Sequence, residues 1–210
     1  MKRKITLLIM LIAYTAWASA QNGRQSFAVH IGYGNMLEGT SGLSLSDDTY
    51  KNKLCQGVNW DAQYHVRAFK DMDFGLLYSG YSAKATHEEG ADHVYTHYIA
   101  PQAGLYIVNN RSIHVRVNAG LGWMFYRNNG EVFAKSRKAT TSNLAGNLGV
   151  NFNYKLTPNW GIGADVQYLI AKFGQMDVRY HGQTVDVRFP DGDSLSGNRL
   201  SLSAGITYFF

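Results

Sequence analysis

The 210-residue sequence contains one cysteine, three prolines and few charged residues, and these shortages exclude several classes of protein. The single Cys55 cannot form an internal disulfide or supply the thiolate pairs of a structural zinc site. Charged side chains make up 17% of the chain, whereas soluble domains contain about 25%. No long apolar run follows residue 20, so a spanning helix is not expected there. The rest of the chain therefore either stays in solution or crosses a membrane as strands.

The first 20 residues have the three parts of a secretory signal peptide. Basic residues at positions 2–4 precede an apolar run, and Ala18 and Ala20 form an A-x-A cleavage site. The apolar run is shorter than a membrane-spanning helix requires. We therefore predict a cleaved signal peptide over residues 1–20 and one mature domain over residues 21–210.

The predicted mature chain has a net charge close to zero. Three basic residues leave with the signal peptide, so 17 basic and 15 acidic residues remain, for a net charge of +2. A charge this small and this dispersed does not favour a nucleic acid partner.

Apolar and polar residues alternate along most of the mature chain, which is the period-two pattern of β-strands. Eight such segments lie near residues 27–33, 58–68, 74–82, 95–107, 113–125, 144–156, 160–168 and 200–210. The third and fourth segments are less regular than the others. Pro101 in the fourth predicts a bulge or a locally unpaired amide.

The connections between these segments alternate between short and long. Tight turns are predicted near residues 70–73, 108–112 and 157–159, and long polar loops near 38–57, 83–92, 127–142 and 174–198. Short turns on one side and long loops on the other are typical of outer-membrane barrels. A strand of about 11 residues, tilted by about 45°, spans about 26 Å, which fits the apolar band of such a barrel. The sequence therefore predicts an all-β, eight-stranded antiparallel up-and-down transmembrane β-barrel.

Alternation alone does not say which face of the strands points outward, because a soluble lipocalin-like barrel also alternates. The polar positions hold mainly Gly, Asn, Gln, Ser and His, whereas a water-facing exterior is rich in Lys and Glu. Small and amide side chains suit a narrow, hydrogen-bonded lumen. We therefore predict an apolar outside and a polar packed lumen.

The C-terminal segment resembles the assembly signal of outer-membrane barrels, with Ser203, Gly205, Tyr208 and Phe210 at the matching positions. Over the mature chain, the pattern is similar to that of the small OmpA-type and OmpX-type barrels. The resemblance implies the outer membrane of a Gram-negative bacterium as location, with outer-membrane lipids and the barrel-assembly machinery as partners. No periplasmic peptidoglycan-binding domain is expected after the barrel, so the resemblance does not imply that OmpA-type role.

Seven charged or titratable side chains are predicted to face the lumen: Asp61, His65, Arg67, His114, Arg116, Lys155 and Asp165. Charges in an occluded lumen have to pair, because an unpaired buried charge costs several kcal/mol. We interpret the set as a structural polar network, with a narrow pore or gate as the alternative. A metal site at His65 and His114 is disfavoured, because no carboxylates complete a ligand set.

No catalytic, cofactor-binding or metal-binding residues are predicted. The His-x-Ser pair of outer-membrane lipid A deacylases is absent, because no His has Ser at the second following position. Glu88, Glu89, Asp92 and His93 cluster in the second predicted loop, where we expect a solvated charged segment rather than an ion site.

The loop over residues 174–198 has more pattern than the other loops. Val178 and Tyr180, like Val185 and Val187, alternate with polar neighbours, and Gly182 between them suits a turn. We predict a β-hairpin that extends the seventh and eighth strands beyond the membrane. The simpler interpretation is that it only rigidifies the loop; the alternative is that it offers an edge to an extracellular ligand.

These patterns leave three functional hypotheses. The favoured one is a non-enzymatic barrel that displays extracellular loops for surface interaction or envelope integrity. The alternatives are a narrow porin-like channel for small solutes and a lipid-modifying outer-membrane enzyme.

Overall fold

The computed structural model describes residues 25–37, 48–87, 90–132, 135–180, 182–189 and 194–210. The predicted signal peptide and its cleavage site lie outside the described residues. The strands are β1 (Gln25–Met36), β2 (Gln56–Arg67), β3 (Met72–His87), β4 (Gly90–Asn109), β5 (Ile113–Val132), β6 (Lys135–Lys155), β7 (Trp160–Phe173), β8 (Gln175–Tyr180), β9 (Gln183–Arg188), β10 (Leu195–Ser196) and β11 (Arg199–Phe209), and the helix is α1 (Asp48–Cys55).

Eight of these strands, β1 to β7 and β11, form a closed antiparallel ring. The ring closes where β11 pairs with β1, for example at Val29 and Ile206. Tight turns join β2 to β3, β4 to β5 and β6 to β7 at the end of the barrel where Gln25 and Phe210 lie. The predicted fold class and the three predicted tight turns are therefore confirmed.

The outer surface of the barrel is apolar, as predicted. Outward-facing side chains such as Ile31, Leu121 and Leu202 are at least 60% exposed. Their neighbours along the strands point inward and are mostly polar, as with Asn59 and Asp61 on β2, both of which are buried. Exposed apolar side chains around a whole ring of strands are stable only against lipid.

Four neighbouring strands, β3 to β6, are longer than a membrane requires. They contain 16, 20, 20 and 21 residues, whereas about 11 residues cross the apolar band. The loops predicted at 83–92 and 127–142 are therefore wrong, because these residues are mostly strand. Polar side chains had suggested loops, but cross-strand pairing on both sides keeps the segments extended beyond the membrane.

The predicted hairpin exists and continues the seventh barrel strand, as predicted. β8 and β9 pair with each other, and Gly182 adopts a φ of 83° in the turn, which favours glycine. β8 extends the seventh barrel strand beyond the membrane. It pairs with residues 137–140 of β6, on the same side of β6 that pairs with β7 lower down. The register shifts by one residue between β7 and β8, around Gly174.

Pro101 lies where the prediction placed an irregularity. Pairing between β4 and β5 runs through Ile99 and resumes at Gln102 in the same register, which fits a residue without an amide hydrogen. The register shift of this strand pair lies elsewhere, between Tyr106 and Val108. The predicted local loss of pairing is therefore found at Pro101, whereas the bulge is not.

Helix α1 lies within the first predicted loop and turns two side chains into the extracellular mouth of the barrel. Tyr50 and Leu54 are 2% and 1% exposed. Within the described part of the chain, no helix has the length and apolar character needed to cross a membrane.

Candidate functional site

The periplasmic half of the lumen holds a charged network centred on Asp73. Arg116 Nη1 donates to Asp73 Oδ2 over 2.8 Å, and His65 Nδ1 lies 3.1 Å from Asp73 Oδ1. The amide of Gln102 donates to His65 Nε2 over 2.7 Å, which places the ring proton on Nδ1, facing the carboxylate. All four side chains are buried, so each charge is matched inside the barrel.

A second network surrounds Asp61. His30 Nδ1 lies 2.8 Å from Asp61 Oδ1, and Gln63 Nε2 donates to the same oxygen over 2.9 Å. The hydroxyl of Ser203 donates to Asp61 Oδ2 over 3.3 Å. Gly205 stands opposite His30 on β1, and a Cβ added there would collide with the Val29 carbonyl and the His30 ring. The glycine is therefore needed for β11 to approach β1 closely.

The structure places all seven predicted lumen residues inside the barrel, although not as one site. Asp61, His65, His114, Arg116 and Asp165 are buried, and Arg67 and Lys155 are half-buried at the periplasmic end. The guanidinium of Arg67 lies 4.6 Å from the Tyr106 ring, and Lys155 Nζ lies 4.2 Å from the Phe209 ring. A small cavity of about 50 Å³ separates these cations from Asp73, which is room for one or two waters.

Three interior residues were missed by the sequence prediction, namely His30, Asp73 and Arg199. Asp73 was assigned to a turn, and Arg199 stands one residue before the predicted eighth strand. His30 alternates with Val29 and Ile31 in the first predicted strand. Extending the third and eighth patterns by one residue would have placed Asp73 and Arg199 in the lumen, and His30 already occupies a polar position of the first pattern.

The residues of the predicted assembly signal lie on both faces of β11. Ser203 and Gly205 face the lumen, whereas the Tyr208 ring packs outside, 4.9 Å from the rings of both Trp160 and Phe210. This aromatic group stands at the periplasmic rim of the apolar band, where amphipathic rings are stable. Its role in assembly stays a prediction.

The extracellular half of the lumen is filled by apolar side chains, which the sequence did not predict. We call this cluster the apolar plug; it consists of Tyr50, Leu54, Leu77, Tyr81, Val94, Tyr98, Met124, Leu169 and Phe173. Arg199 is fully buried among these side chains, 5.3 Å from the Tyr81 ring, and donates to Thr96 and Ser79 over 2.8 and 2.6 Å. The Asp73 and Asp61 networks thus lie below the plug, which fills most of the extracellular half.

Helix α1 is fastened over the plug by polar contacts. Tyr50 donates its hydroxyl to Asp92 Oδ2 over 2.7 Å, and Arg137 Nη2 donates to Asp92 Oδ1 over 2.6 Å. Burial and the hydrogen bond to Asp92 raise the pKa of the Tyr50 phenol. Asp92 is 4% exposed, so the prediction of a solvated segment is wrong for this residue. Glu88 and Glu89 lie outside the described residues.

Beyond the membrane, β3 to β6 continue upward together with the hairpin. We call residues 83–87, 90–96, 126–132 and 135–142, with β8 and β9, the extracellular wall. It rises roughly 15–20 Å above the membrane. Here the inward side chains include small apolar ones, such as Ala85 and Ala139, beside the buried and paired Asp92, whereas the outward ones are polar, as with Lys84 and Lys138. The wall therefore has a water-facing outside and a packed interior.

One pair of side chains on the outer face has the geometry of a nucleophile and a base. Ser82 Oγ lies 2.8 Å from His93 Nε2, and the Tyr95 hydroxyl lies 2.8 Å from His93 Nδ1. Partial burial and the nearby Lys84 lower the pKa of His93, which favours its neutral form. Among the described residues, no group of three or more His, Cys, Asp or Glu side chains is placed to hold a metal ion.

Solved structures share this fold at low sequence identity. Neisserial surface protein A is 14% identical, with 90% of this chain and 98% of that chain covered and a TM-score of 0.55. Ail of Yersinia pestis, in complex with the heparin analogue sucrose octasulfate, is 14% identical with coverages of 88% and 99% and a TM-score of 0.53. The outer membrane protease OmpT from Escherichia coli is 12% identical with coverages of 89% and 97% and a TM-score of 0.51.

The family comparison covers nearly the whole chain. No curated protein matches it. The family model of the outer membrane protein beta-barrel domain matches residues 5–205. With eight closed strands, an apolar outer band and a filled lumen, the chain belongs to the outer membrane protein beta-barrel domain family and lies in the outer membrane.

Proposed function

We propose that this protein is a non-enzymatic outer-membrane barrel that displays its extracellular wall for surface interaction and does not conduct solutes. The apolar plug is the observation that carries the proposal. It fills the barrel above the polar network, while the wall presents a polar, water-facing surface outside the cell. The residues that are free to meet another molecule therefore lie on the wall and not in the lumen.

A porin-like channel is the first alternative, and the packing of the lumen disfavours it. Tyr81 and Tyr98 are 0% exposed, and Tyr98 on β4 donates its hydroxyl to Asn147 on β6 over 2.9 Å. Arg199, also 0% exposed, stacks 5.3 Å from the Tyr81 ring. A solute would have to displace several close-packed side chains, and protein interiors resist such displacement.

Conductance in planar lipid bilayers tests the closed lumen. We expect the purified protein to insert without ion-current steps. The double variant Tyr81→Ala with Tyr98→Ala removes two fully buried rings of the plug, and it should show steps that the unchanged protein lacks. Clear current steps from the unchanged protein, of the size seen with the double variant, would overturn the closed-lumen proposal.

A lipid-modifying enzyme is the second alternative, and the Ser82–His93 pair is the observation that favours it. The pair stands on the outer face of the wall, just above the apolar band, where the headgroups of outer-leaflet lipids lie. The partner of His93 Nδ1 is the Tyr95 hydroxyl, at the position where hydrolase triads carry a carboxylate. Without that negative charge, the imidazolium formed during catalysis is poorly stabilised, so we favour the non-enzymatic role.

Mass spectrometry of membrane lipids decides between these two roles. Cells that produce the unchanged protein and cells that produce the Ser82→Ala variant should have the same lipid A profile. A loss of acyl chains with the unchanged protein, abolished by Ser82→Ala, would establish an enzyme and contradict the proposal.

A further inference from the structure

The outer edge of β9 is open in the described part of the chain, because the sheet order ends at this strand. Phe189 donates its amide to Gly174 on the β8 side over 3.1 Å. Backbone groups in an antiparallel strand alternate in direction, so those of Thr184, Asp186 and Arg188 point away from β8. Such a row of unpaired amides and carbonyls is a template for another strand.

The edge strand β9 carries charged side chains, and one of them stands opposite a like charge on β8. Asp186 stands directly opposite Asp177 on β8, and their hydrogen bond raises the pKa of the Asp177 carboxyl. Like charges directly opposite each other weaken a strand pair. Arg188 is exposed on the same face, two residues further along β9. The edge thus presents a negative and a positive charge on either side of Val187.

This order of charges is self-complementary. We propose that β9 pairs antiparallel with β9 of a second copy of this chain, about a two-fold axis at Val187. Asp186 of each copy then stands opposite Arg188 of the other, and both residues use their outward backbone groups. On the other face, Val185, which is 58% exposed, meets Phe189 of the second copy. The contact has the symmetry expected of a homodimer interface.

The fold also determines how the two copies are oriented. Antiparallel strands are related by a two-fold axis perpendicular to their sheet, and the wall continues the barrel cylinder upward. That axis therefore lies in the membrane plane and inverts the second barrel. Among the described residues, the barrel strands on the open side of the hairpin, β1, β2 and β11, contain 12, 12 and 11 residues and so do not extend into a wall of their own. The paired copies accordingly stand in two facing membranes.

Clustering of proteoliposomes tests this pairing, which rests on the display function proposed above. The protein is reconstituted into phosphatidylcholine vesicles, and vesicle size is followed by dynamic light scattering. We expect the unchanged protein to cluster vesicles. The variants Asp186→Arg and Arg188→Asp should each cluster them roughly tenfold more slowly, because both place like charges across the two-fold axis.

Mixing the two variants gives the sharpest result. Vesicles carrying Asp186→Arg, labelled with one dye, should cluster with vesicles carrying Arg188→Asp, labelled with another, because opposite charges face each other again. Arg179→Asp is the matched control: it makes the same charge change on β8, which is paired on both sides, and should leave clustering unchanged. Circular dichroism confirms that each variant retains its strand content.

Two results would overturn the pairing. Vesicles that stay separate with the unchanged protein would show that β9 does not pair with itself, and binding of an added extended peptide would then identify a different occupant. Clustering that the single variants retain would place the contact elsewhere on the wall. Neither result affects the conductance or lipid measurements. Those measurements therefore test the display function separately from the pairing of β9.

Discussion

Strands β5 and β6 pass through two regions, the membrane and the extracellular wall. Their apolar side chains point outward in the membrane and inward in the wall. On β5, Leu121 points outward to lipid and is 60% exposed, whereas Tyr126, five residues further on, points inward and is 2% exposed. On β6, Leu148 faces lipid, and Ala139 in the wall faces the interior. Strand pairing continues without interruption between these positions, as the β5–β6 register shows.

This comparison separates what the backbone determines from what the solvent determines. The backbone sets only the alternation of side chains between two faces. In the membrane, lipid requires the apolar residues outside, and polar groups pair inside. Above the membrane, water requires the reverse, and the wall buries apolar side chains like a soluble sheet. One strand therefore contains the pattern of a membrane protein and that of a soluble protein in succession.

The largest expected effect comes from removing a buried carboxylate in either region. Asp73→Ala leaves Arg116 unpaired in the membrane region, and Asp92→Ala leaves Arg137 without this partner in the wall. Each should cost about 3–5 kcal/mol of stability in its own region. Denaturant unfolding in lipid vesicles should show the loss for Asp73→Ala. Hydrogen exchange should show it for Asp92→Ala only in the wall and α1.

If Asp73→Ala and Asp92→Ala changed hydrogen exchange equally throughout the barrel, the two regions would unfold as one unit. That result would contradict the distinction between them.

A charge placed on the outward face should be costly in one region and harmless in the other. Leu148→Arg puts a guanidinium near the middle of the apolar band and should lower the free energy of unfolding by about 2–4 kcal/mol. Ser136→Arg makes the same addition on the same strand in the wall, where the side chain is exposed to water. We expect a change within about 0.5 kcal/mol there. Similar losses at both positions would place the wall inside the membrane.

A smaller effect is expected from the hydrogen bond that fastens α1. Tyr50→Phe removes the donor to Asp92 and keeps the ring in the plug, so helix opening should become easier by about 1 kcal/mol. Amide exchange in α1 should then be several-fold faster. Tyr33→Phe, on the lipid-facing side of β1, is the matched control and should leave α1 unchanged. Rapid amide exchange throughout α1 in the unchanged protein would contradict a helix held in place by the Tyr50–Asp92 hydrogen bond.

The smallest effect concerns the hairpin turn. Gly182→Ala forces a residue with a Cβ into a φ of 83°, at a cost of about 1–2 kcal/mol to the hairpin alone. Limited proteolysis should cut the β8–β9 turn faster in this variant, while the barrel stays intact. Unchanged cleavage would mean that the turn does not limit hairpin stability.

The membrane region could be predicted from the sequence because its solvent leaves a simple pattern. Alternation identified all eight barrel strands, and the amide-rich polar face indicated a narrow lumen. The upper parts of β3 to β6 were missed because their outward residues, such as Lys84 and Lys138, and their small inward residues, such as Ala85 and Ala139, resemble a polar loop. Nothing local in those segments reveals that neighbouring strands pair with them.

The candidate site was predictable only in part, for a related reason. The charged residues within clear alternation were assigned to the lumen, but Asp73 and Arg199 stand at strand ends where the pattern is short. The plug draws on side chains from α1 and several strands, and such convergence depends on register across the whole barrel. The contact between Ser82 and His93 joins two strands by a diagonal that sequence spacing does not show.

Cysteine labelling on β6 tests most directly whether the apolar face reverses at the membrane boundary. In a Cys55→Ser background, the variants Lys138→Cys, Ala139→Cys and Leu148→Cys are exposed in vesicles to a water-soluble maleimide. We predict fast labelling at position 138 and protection at positions 139 and 148, the first by the packed interior of the wall and the second by lipid. Labelling at position 139 as fast as at 138, or equal protection of 138 and 148, would contradict the reversal.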